Sequence, residues 1–446
     1  MKSPTFLKRI IRSVTRPDAQ VEARKLSQQV ITLCHALLSE RGEVSGALLA
    51  RETLAAYQAL PESALPILFD LLAAEFSPDP VALTRACQDY CARPSSDALI
   101  NLFHLAEPPR QELFRRLNMA PGGTTTLVRM REGLLGDLLD RPQWKCIDVD
   151  FAHLFGSWFN RGFLSLQRID WNTPAIILEK LIKYEAVHEI TGWRDLQRRL
   201  EADRRCFGFF HPSLPNEPLI FIEVALTKGM SDAVQPLLEL GSPVLDPQAA
   251  NTAIFYSITT CQRGLRGISF GNLLIKQVAQ ELGRDFPKTK TFATLSPVPG
   301  FRDWLASAQG ELAATAAGRA ALEALELLNQ ADWFKHSETA EQVQKHLMPL
   351  CAYYLIHAKH NDGEPVDSVA RFHLGNGARL ERLNWLADTS KQGLRRAGGL
   401  MVNYLYPLDD VDDNHETYVK RRRVVASQKL RKLARESALG GTQAKL

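Results

Sequence analysis

The residues from Thr252 to Phe301 most constrain the fold: TAIFYSITT, then CQRGLRGISFGN, then LLIKQVAQELG and, shortly after, TFATLSPVPGF. The first and last pieces are rich in β-branched and aromatic residues, and both read as strands. Leu274, Val278 and Leu282 stand four apart between them and would line one face of an amphipathic helix. Strand, Gly-rich loop, helix and strand make a βαβ unit, whose two strands run parallel. The second strand, Thr291 to Leu295, delivers Ser296 directly before Pro297 and Pro299. Neither proline can donate to a ladder, so pairing is expected to end there, with Ser296 the last strand residue before a stiffened turn. From this segment alone, a serine satisfying local backbone is the default, because Ser so often marks turns.

The remainder of the chain sets the context. CFGFFHPSLPNEPLIFIEVAL reads as a hairpin, with strands at Cys206 to Phe210 and Leu219 to Ala225 joined by a Pro-rich loop. ALEALELLNQ and VQKHLMPLCAYYLIHA read as helices, GLMVNYLYP carries a strand, and YVKRRRVVASQKLRKLARE reads as one basic C-terminal helix. From Ala19 to about Asn160 the pattern is helical throughout, in VITLCHALL, LPILFDLLAAEF, ALINLFHLAEPP and LVRMREGLLGDLLD. Pro61, Pro78, Pro80, Pro94, Pro108 and Pro109 punctuate it where helices start and break. Short loops then imply antiparallel packing as a bundle. A chain of 446 residues exceeds one core. The expected division is a helical bundle over 1–162, a scaffold or oligomerisation module, followed by an α/β domain over 163–446.

Composition excludes several classes. Apolar residues make up 45% and charged residues 23%, as in ordinary globular proteins, and a formal charge of +4 is too small to argue for nucleic acid. Nothing approaches the roughly twenty uninterrupted apolar residues of a membrane span. The seven cysteines (Cys34, Cys87, Cys91, Cys146, Cys206, Cys261 and Cys351) form no C-x-x-C pair. That pattern fits a reducing compartment, and the cytoplasm is the expected one, with Cys87 and Cys91 expected in the core. The basic start, MKSPTFLKRIIRSVTRP, lacks the apolar block of a secretory signal and reads as a solvated arm. The final Ala444-Lys445-Leu446 differs from the peroxisomal S-K-L address by one residue, and the basic start is also transit-like; in a eukaryote, peroxisome or mitochondrion would be open.

Gly264, Gly267 and Gly271 punctuate the strand-to-helix junction with Arg263 and Arg266 interleaved. Glycine admits phosphate close to backbone amides, and a helix start adds a positive end. The loop is neither a P-loop nor a dinucleotide fingerprint. As Arg266-x-x-Ser269-x-Gly271 it resembles the pyrophosphate loop of the GNAT acetyltransferase superfamily, with Ser269 in place of the first glycine. His373, between Phe372 and Leu374 and before Gly375-Asn376-Gly377, is on spacing alone a satisfied core histidine. His357 and His360 lack a third ligand, and Asp409, Asp410, Asp412 and Asp413 lack the glycine and glutamate of a calcium loop, so no metal site is expected.

In sequence order, HPSLPNEPL, FYSIT, QRGLRGISFGNLLIKQV, LSPVPGF, FHLGNGA and GLMVNY resemble the malonyl-CoA decarboxylase family. The resemblance covers most of the chain and implies a helical domain followed by a GNAT-like α/β catalytic domain. It places the catalytic serine on Ser296 and the catalytic histidine on His373. The CoA loop falls on Arg266, Gly267, Ile268, Ser269, Phe270, Gly271 and Asn272. Some relatives carry an acidic residue where this chain has Ser269, so no role rests on that side chain.

The chemistry is consistent with those groups. Losing CO2 from malonyl-CoA leaves an enolate for which the thioester is itself the electron sink, so no cofactor is expected. The protein must supply donors to the enolate oxygen, about 3–4 kcal/mol for each well-placed one. It must also supply an acid for C2, worth about 10²–10⁴-fold. His373 has an ordinary pKa near neutrality for that role, and prolines would aim the Ser296 hydroxyl. Two other readings compete: an acyltransferase using the same CoA loop, and an inactive helical interaction protein. A homo-oligomer, dimer or tetramer, through the helical domain is also expected.

Overall fold

The computed structural model describes residues 17–268 and 274–440. They form two compact units. The first comprises residues up to 164 together with 211–215 and 262–270; the second comprises 165–210, 216–261 and 271 onward.

In the first unit, eight α-helices follow one another from Pro17–Ser39 to Lys145–Trp158. Prolines open several of them, as at Pro80–Ala92 and Pro109–Met119, where the missing N–H is one the helix start would leave unbonded anyway. Asp79 and Ser95 accept from Val81 and Ala98 amides at 2.9 and 3.1 Å and fix two of those starts. The core stacks Phe114 on Phe151 at 4.2 Å and sets Trp144 against Phe69. Arg110, buried, pairs with Asp150 and donates to the Leu72 carbonyl at 2.9 Å, stitching three helices together. Helix Ser96–Ala106 departs from the expected bundle, because none of its residues is buried. Its neighbour Pro80–Ala92 buries only Ala86, which is why Cys87 and Cys91, expected in the core, are exposed.

The second unit is built on one sheet of eight strands: β1 Ser165–Ile169, β2 Arg204–Phe210, β3 Pro218–Thr227, β4 Thr252–Thr260, β5 Thr291–Thr294, β6 Ser296–Pro297, β7 Arg379–Asn384 and β8 Met401–Leu405. Their order is β1-β2-β3-β4-β5-β8-β6, with β7 on β8. The predicted hairpin is β2 with β3, antiparallel from Arg204 opposite Ala225 to Phe210 opposite Pro218. The βαβ unit is β4, helix Leu274–Asp285 and β5, with β4 and β5 parallel. Leu274, Val278 and Leu282 are buried, as the four-residue spacing requires. Antiparallel strands lead into a parallel β4–β5 pair, and β8 then pairs with both β5 and β7, which makes the sheet mixed.

What positions the site is a parting of strands. β5 pairs with β4 only as far as Phe255 opposite Thr294, while β4 continues to Thr260. Beyond the Leu295 amide, which still donates to the Phe255 carbonyl at 3.0 Å, the chain follows β8 instead. Pairing therefore does not end at the proline. Ser296 and Pro297 lie opposite Val402 and Met401 as β6, at the end of the strand order. Proline keeps its carbonyl as an acceptor and tolerates an edge, where no amide is required of it.

Two further elements differ from the pattern reading. The C-terminal basic segment is two helices, Val411–Arg421 and Gln428–Arg435, not one. Arg422 adopts a left-handed backbone (φ 48°) with its side chain on Glu364, and Ala426 bridges to Leu380. Strand β7, in ARLERLN, was hidden because only some of its positions are buried and its charges break a clean apolar alternation.

Candidate active site

Ser296 sits where the sheet parts, on β6. Its Oγ donates to Thr294 Oγ1 at 2.8 Å and lies 3.0 Å from His373 Nε2. Thr294, at the end of β5, is fixed in turn: its Oγ1 accepts from the Tyr404 amide at 3.2 Å and its carbonyl from Asn403 Nδ2 at 2.7 Å. The hydroxyl of Ser296 is therefore aimed by β8 through Thr294, not by the prolines alone.

His373 comes from the last turn of helix Ser368–Gly375, whose start is capped by Asp367 accepting from the Ala370 amide at 2.8 Å. The chain after it turns sharply at Gly377 (φ 79°), where a Cβ would meet the Val411 carbonyl oxygen at 2.1 Å. The glycine in FHLGNGA thus serves a close backbone approach beside the site. The imidazole stacks on Tyr404 at 4.5 Å between ring centres, and its Nδ1 lies 2.8 Å from the Tyr406 hydroxyl. Sequence reasoning named Ser296 and His373 but missed Thr294, Tyr404 and Tyr406. Thr294 lay two residues from the serine, and both tyrosines stood in the strand already recognised near GLMVNYLYP.

Burial sets the electrostatics. His373 is 3% exposed, and desolvation pushes its pKa down to about 3, so the imidazole is neutral at pH 7. The ordinary value near neutrality expected for it does not hold in the folded protein. Desolvation also raises the Tyr406 hydroxyl well above its ordinary value and keeps it protonated. With Ser296 donating to Thr294, one arrangement satisfies the rest: His373 Nε2–H donates to Ser296, and Tyr406 O–H donates to Nδ1. Ser296 and His373 open onto a cavity of about 180 Å³ lined also by Phe255, Ile258, Thr260, Pro297, Val369 and Phe372. The walls are largely apolar, and the serine and the imidazole are among the few polar groups at its end.

Arg266 and Gly267 are exposed, Ile268 is buried, and all three belong to the helical unit; Ser269, Phe270, Gly271 and Asn272 lie outside the described residues. Gly264 is accounted for by packing, since a Cβ there would meet the Val128 carbonyl oxygen at 1.9 Å. Arg131, buried, donates to the carbonyls of Gly264 and Arg266 at 2.7 and 2.9 Å and pins this end of the loop to helix Gly123–Asp137. Among the described residues no group of three or more His, Cys, Asp or Glu is placed to hold a metal ion. His357 ends helix Ser337–His357, and Asp412 pairs with Lys276 at 2.8 Å. None of the described helices is long and apolar enough to cross a membrane.

A mixed eight-stranded sheet holding a buried serine–histidine pair where its strands part is the site this fold builds. The chain belongs to the malonyl-CoA decarboxylase family, whose members are lyases. The family described as malonyl-CoA decarboxylase C-terminal domain matches residues 162–443, and the corresponding N-terminal domain matches residues 76–159. Among curated relatives, the mitochondrial malonyl-CoA decarboxylase of Anser anser anser is 37% identical over 347 residues, 72% of this chain and 69% of that protein. The mitochondrial enzyme of Mus musculus is 36% identical over 72% of this chain and 70% of its own length. Among solved structures, malonyl-CoA decarboxylase from Rhodopseudomonas palustris is 51% identical with a TM-score of 0.87, covering 91% of this chain and 93% of that one. The Agrobacterium vitis structure of the same name is 50% identical with a TM-score of 0.85, covering 91% and 99%.

Proposed function

We propose that this protein decarboxylates malonyl-CoA to acetyl-CoA and CO2 through an enolate, with Ser296 and His373 acting at C2. The observation that carries the reading is the 3.0 Å contact between Ser296 Oγ and His373 Nε2, across 77 residues of sequence, in the cavity where the strands part. As the C2–carboxylate bond breaks, its electron pair passes into the thioester carbonyl and CO2 departs. One proton is then consumed at C2. In the free protein His373 is neutral, and binding an anionic carboxylate beside it raises its affinity for a proton, opposing the effect of burial. The imidazolium formed in the complex is the acid, with Ser296 between it and the malonyl group and Tyr406 holding Nδ1. The apolar walls disfavour a carboxylate and tolerate neutral CO2, which favours departure.

The same reading assigns the CoA diphosphate to the amides from Arg266 to Asn272, on their sequence, and self-association to the helical domain. The pattern of free cysteines favours the cytoplasm. The test is to incubate purified protein with malonyl-CoA and follow acetyl-CoA and CO2. Equal amounts of both are expected, with no acylated acceptor. Release of free CoA with acylation of an added amine, or CoA binding with no turnover, would overturn the assignment.

A further inference from the structure

We propose that Asp367 is a positioning residue for the catalytic pair: with Tyr354, its carboxylate ties the helix that carries His373 to the turn that follows Ser296. This rests on the serine–histidine reading above and concerns what holds those two groups 3.0 Å apart. Asp367 is 1% exposed and stands at the start of helix Ser368–Gly375, with His373 in the last turn. One carboxylate oxygen accepts from the Ala370 amide at 2.8 Å, and the other from the Tyr354 hydroxyl at 3.4 Å. Tyr354 comes from helix Ser337–His357 and is fully buried. Its ring packs on Phe301 and Trp304, at 5.6 and 5.1 Å between ring centres. Both belong to helix Phe301–Ser307, which begins where LSPVPG ends.

The same hydroxyl accounts for the glycine in that motif. Gly300 has φ −93°, a backbone any residue adopts, so no turn demands it. A Cβ there would meet the Tyr354 hydroxyl at 2.8 Å, and the buried ring has little room to retreat. Gly300 makes space for the hydroxyl that reaches Asp367. The connections close a ring: Ser296 to Gly300 along the chain, Gly300 against Tyr354, Tyr354 to Asp367, and Asp367 through its helix to His373. The contact between Ser296 and His373 completes it.

A helix cap alone does not explain the residue. Ser or Asn caps as well, and either would spare the interior a carboxylate. Among the described residues no lysine or arginine pairs with Asp367, so its partners are neutral donors. Burial pushes its carboxyl up to about 6, while the Ala370 and Val369 amides, Tyr354 and the Gly300 amide pull it down. A carboxylate accepts on all sides at once, from the histidine's helix and from the serine's turn. An amide in its place would turn an NH2 toward one set of donors.

Steady-state kinetics of Asp367→Asn with malonyl-CoA tests this, beside circular dichroism and thermal unfolding. The amide oxygen keeps the cap, so the variant should fold, but the second set of donors loses its acceptor. Turnover should fall by about tenfold or more, toward the roughly 10²-fold that a misplacement of about 1 Å costs. KM should stay within about twofold, because the binding walls are untouched. In a Ser296→Ala background the same change should cost about threefold or less, since no hydroxyl remains to be aimed. Gly300→Ala should also lower kcat, and should cost almost nothing further once Tyr354→Phe has removed the hydroxyl it strikes. A folded Asp367→Asn protein with unchanged kcat, or with the same loss in both backgrounds, would overturn the tie and leave Asp367 a helix cap. If Asp367→Asn does not fold, the second pair decides: an equal cost of Gly300→Ala with and without the Tyr354 hydroxyl overturns the proposal. Near-full turnover by His373→Asn would instead overturn the catalytic pair, and this role with it.

Discussion

Two clusters of buried polar groups lie in the sheet unit, and they are built on opposite principles. Around Ser296, every group is neutral: two hydroxyls, an imidazole stripped of its charge by burial and a protonated tyrosine, joined by contacts of 2.8 to 3.0 Å. Around Glu223, arginines meet carboxylates, and burial pushes the Glu223 carboxyl up to about 8 against the pull of Arg199. Arg199 pairs with Glu223 at 2.8 Å, Arg198 with Asp203 at 2.9 Å and Arg204 with Asp203 at 2.9 Å, all almost fully buried. The charged cluster pairs its groups with one another and lines none of the cavity at Ser296, so its charges hold structure. The neutral cluster opens onto the cavity with its imidazole uncharged, and so can respond to an incoming charge. On the proposed reading, a buried polar network is reactive where burial has left it without charge.

The largest expected effect falls on the neutral side. His373→Asn keeps a donor of similar size but loses the titrating ring, and turnover should drop by about 10²–10⁴-fold, the worth of a general acid, with thermal unfolding showing a folded protein. A folded variant with near-full turnover would return His373 to the status of a core residue.

Glu223→Ala probes the other cluster and should reverse the pattern. It takes from the buried Arg199 its buried carboxylate, leaving Asp195 at 3.3 Å, and should cost about 3 kcal/mol of stability, the lower end for a broken buried pair. Denaturant midpoints should show that loss, while kcat per folded molecule stays within a few-fold of wild type. A kcat collapse in the folded fraction would erase the distinction between the two clusters.

Ser296→Ala sharpens the assignment within the site. It should lower kcat by about 10²-fold, the lower end for one positioned hydrogen-bonding group, with CoA affinity nearly intact. Combined with His373→Asn, the loss should be less than the product of the two, because both groups serve one transition state. Multiplicative losses would place them on separate steps.

The smallest effect is on stability against pH. His373 titrates near 6.5 unfolded and about 3 folded. Between those values the unfolded chain holds the extra proton, so stability is present above pH 6.5 and is lost as pH falls toward 3. Unfolding of wild type at about pH 4 and about pH 7 should therefore differ more than that of His373→Asn. Equal differences would mean the imidazole is not kept neutral by the fold.

Much of this was legible in residue order. Four-residue spacing in LLIKQVAQELG gave the crossover helix, alternation in TAIFYSITT gave β4 to the residue, and prolines marked the helix starts. Ser296 and His373 were legible as chemistry only through their motifs. Nothing in the local pattern of FHLGNGA distinguishes a reactive histidine from a packed one. The pattern misled where a long-range partner decides local structure: β6 continues through a proline because β8 is there to receive it, and the C-terminal basic run breaks at Arg422, where its side chain meets Glu364.

By itself the sequence determined the helical first half, the β2–β3 hairpin, the parallel β4–β5 pair with its crossover helix, and the kinds of groups the site would use, because periodicity and proline placement act through neighbouring residues. Tertiary structure alone decided that His373 is neutral, that Thr294 and Tyr406 complete its chain, and that Arg131 holds the glycine loop. Those outcomes depend on which groups exclude water from one another. Residues as far apart as Ser296 and Tyr406 do so only after the sheet has formed, when β8 brings them together.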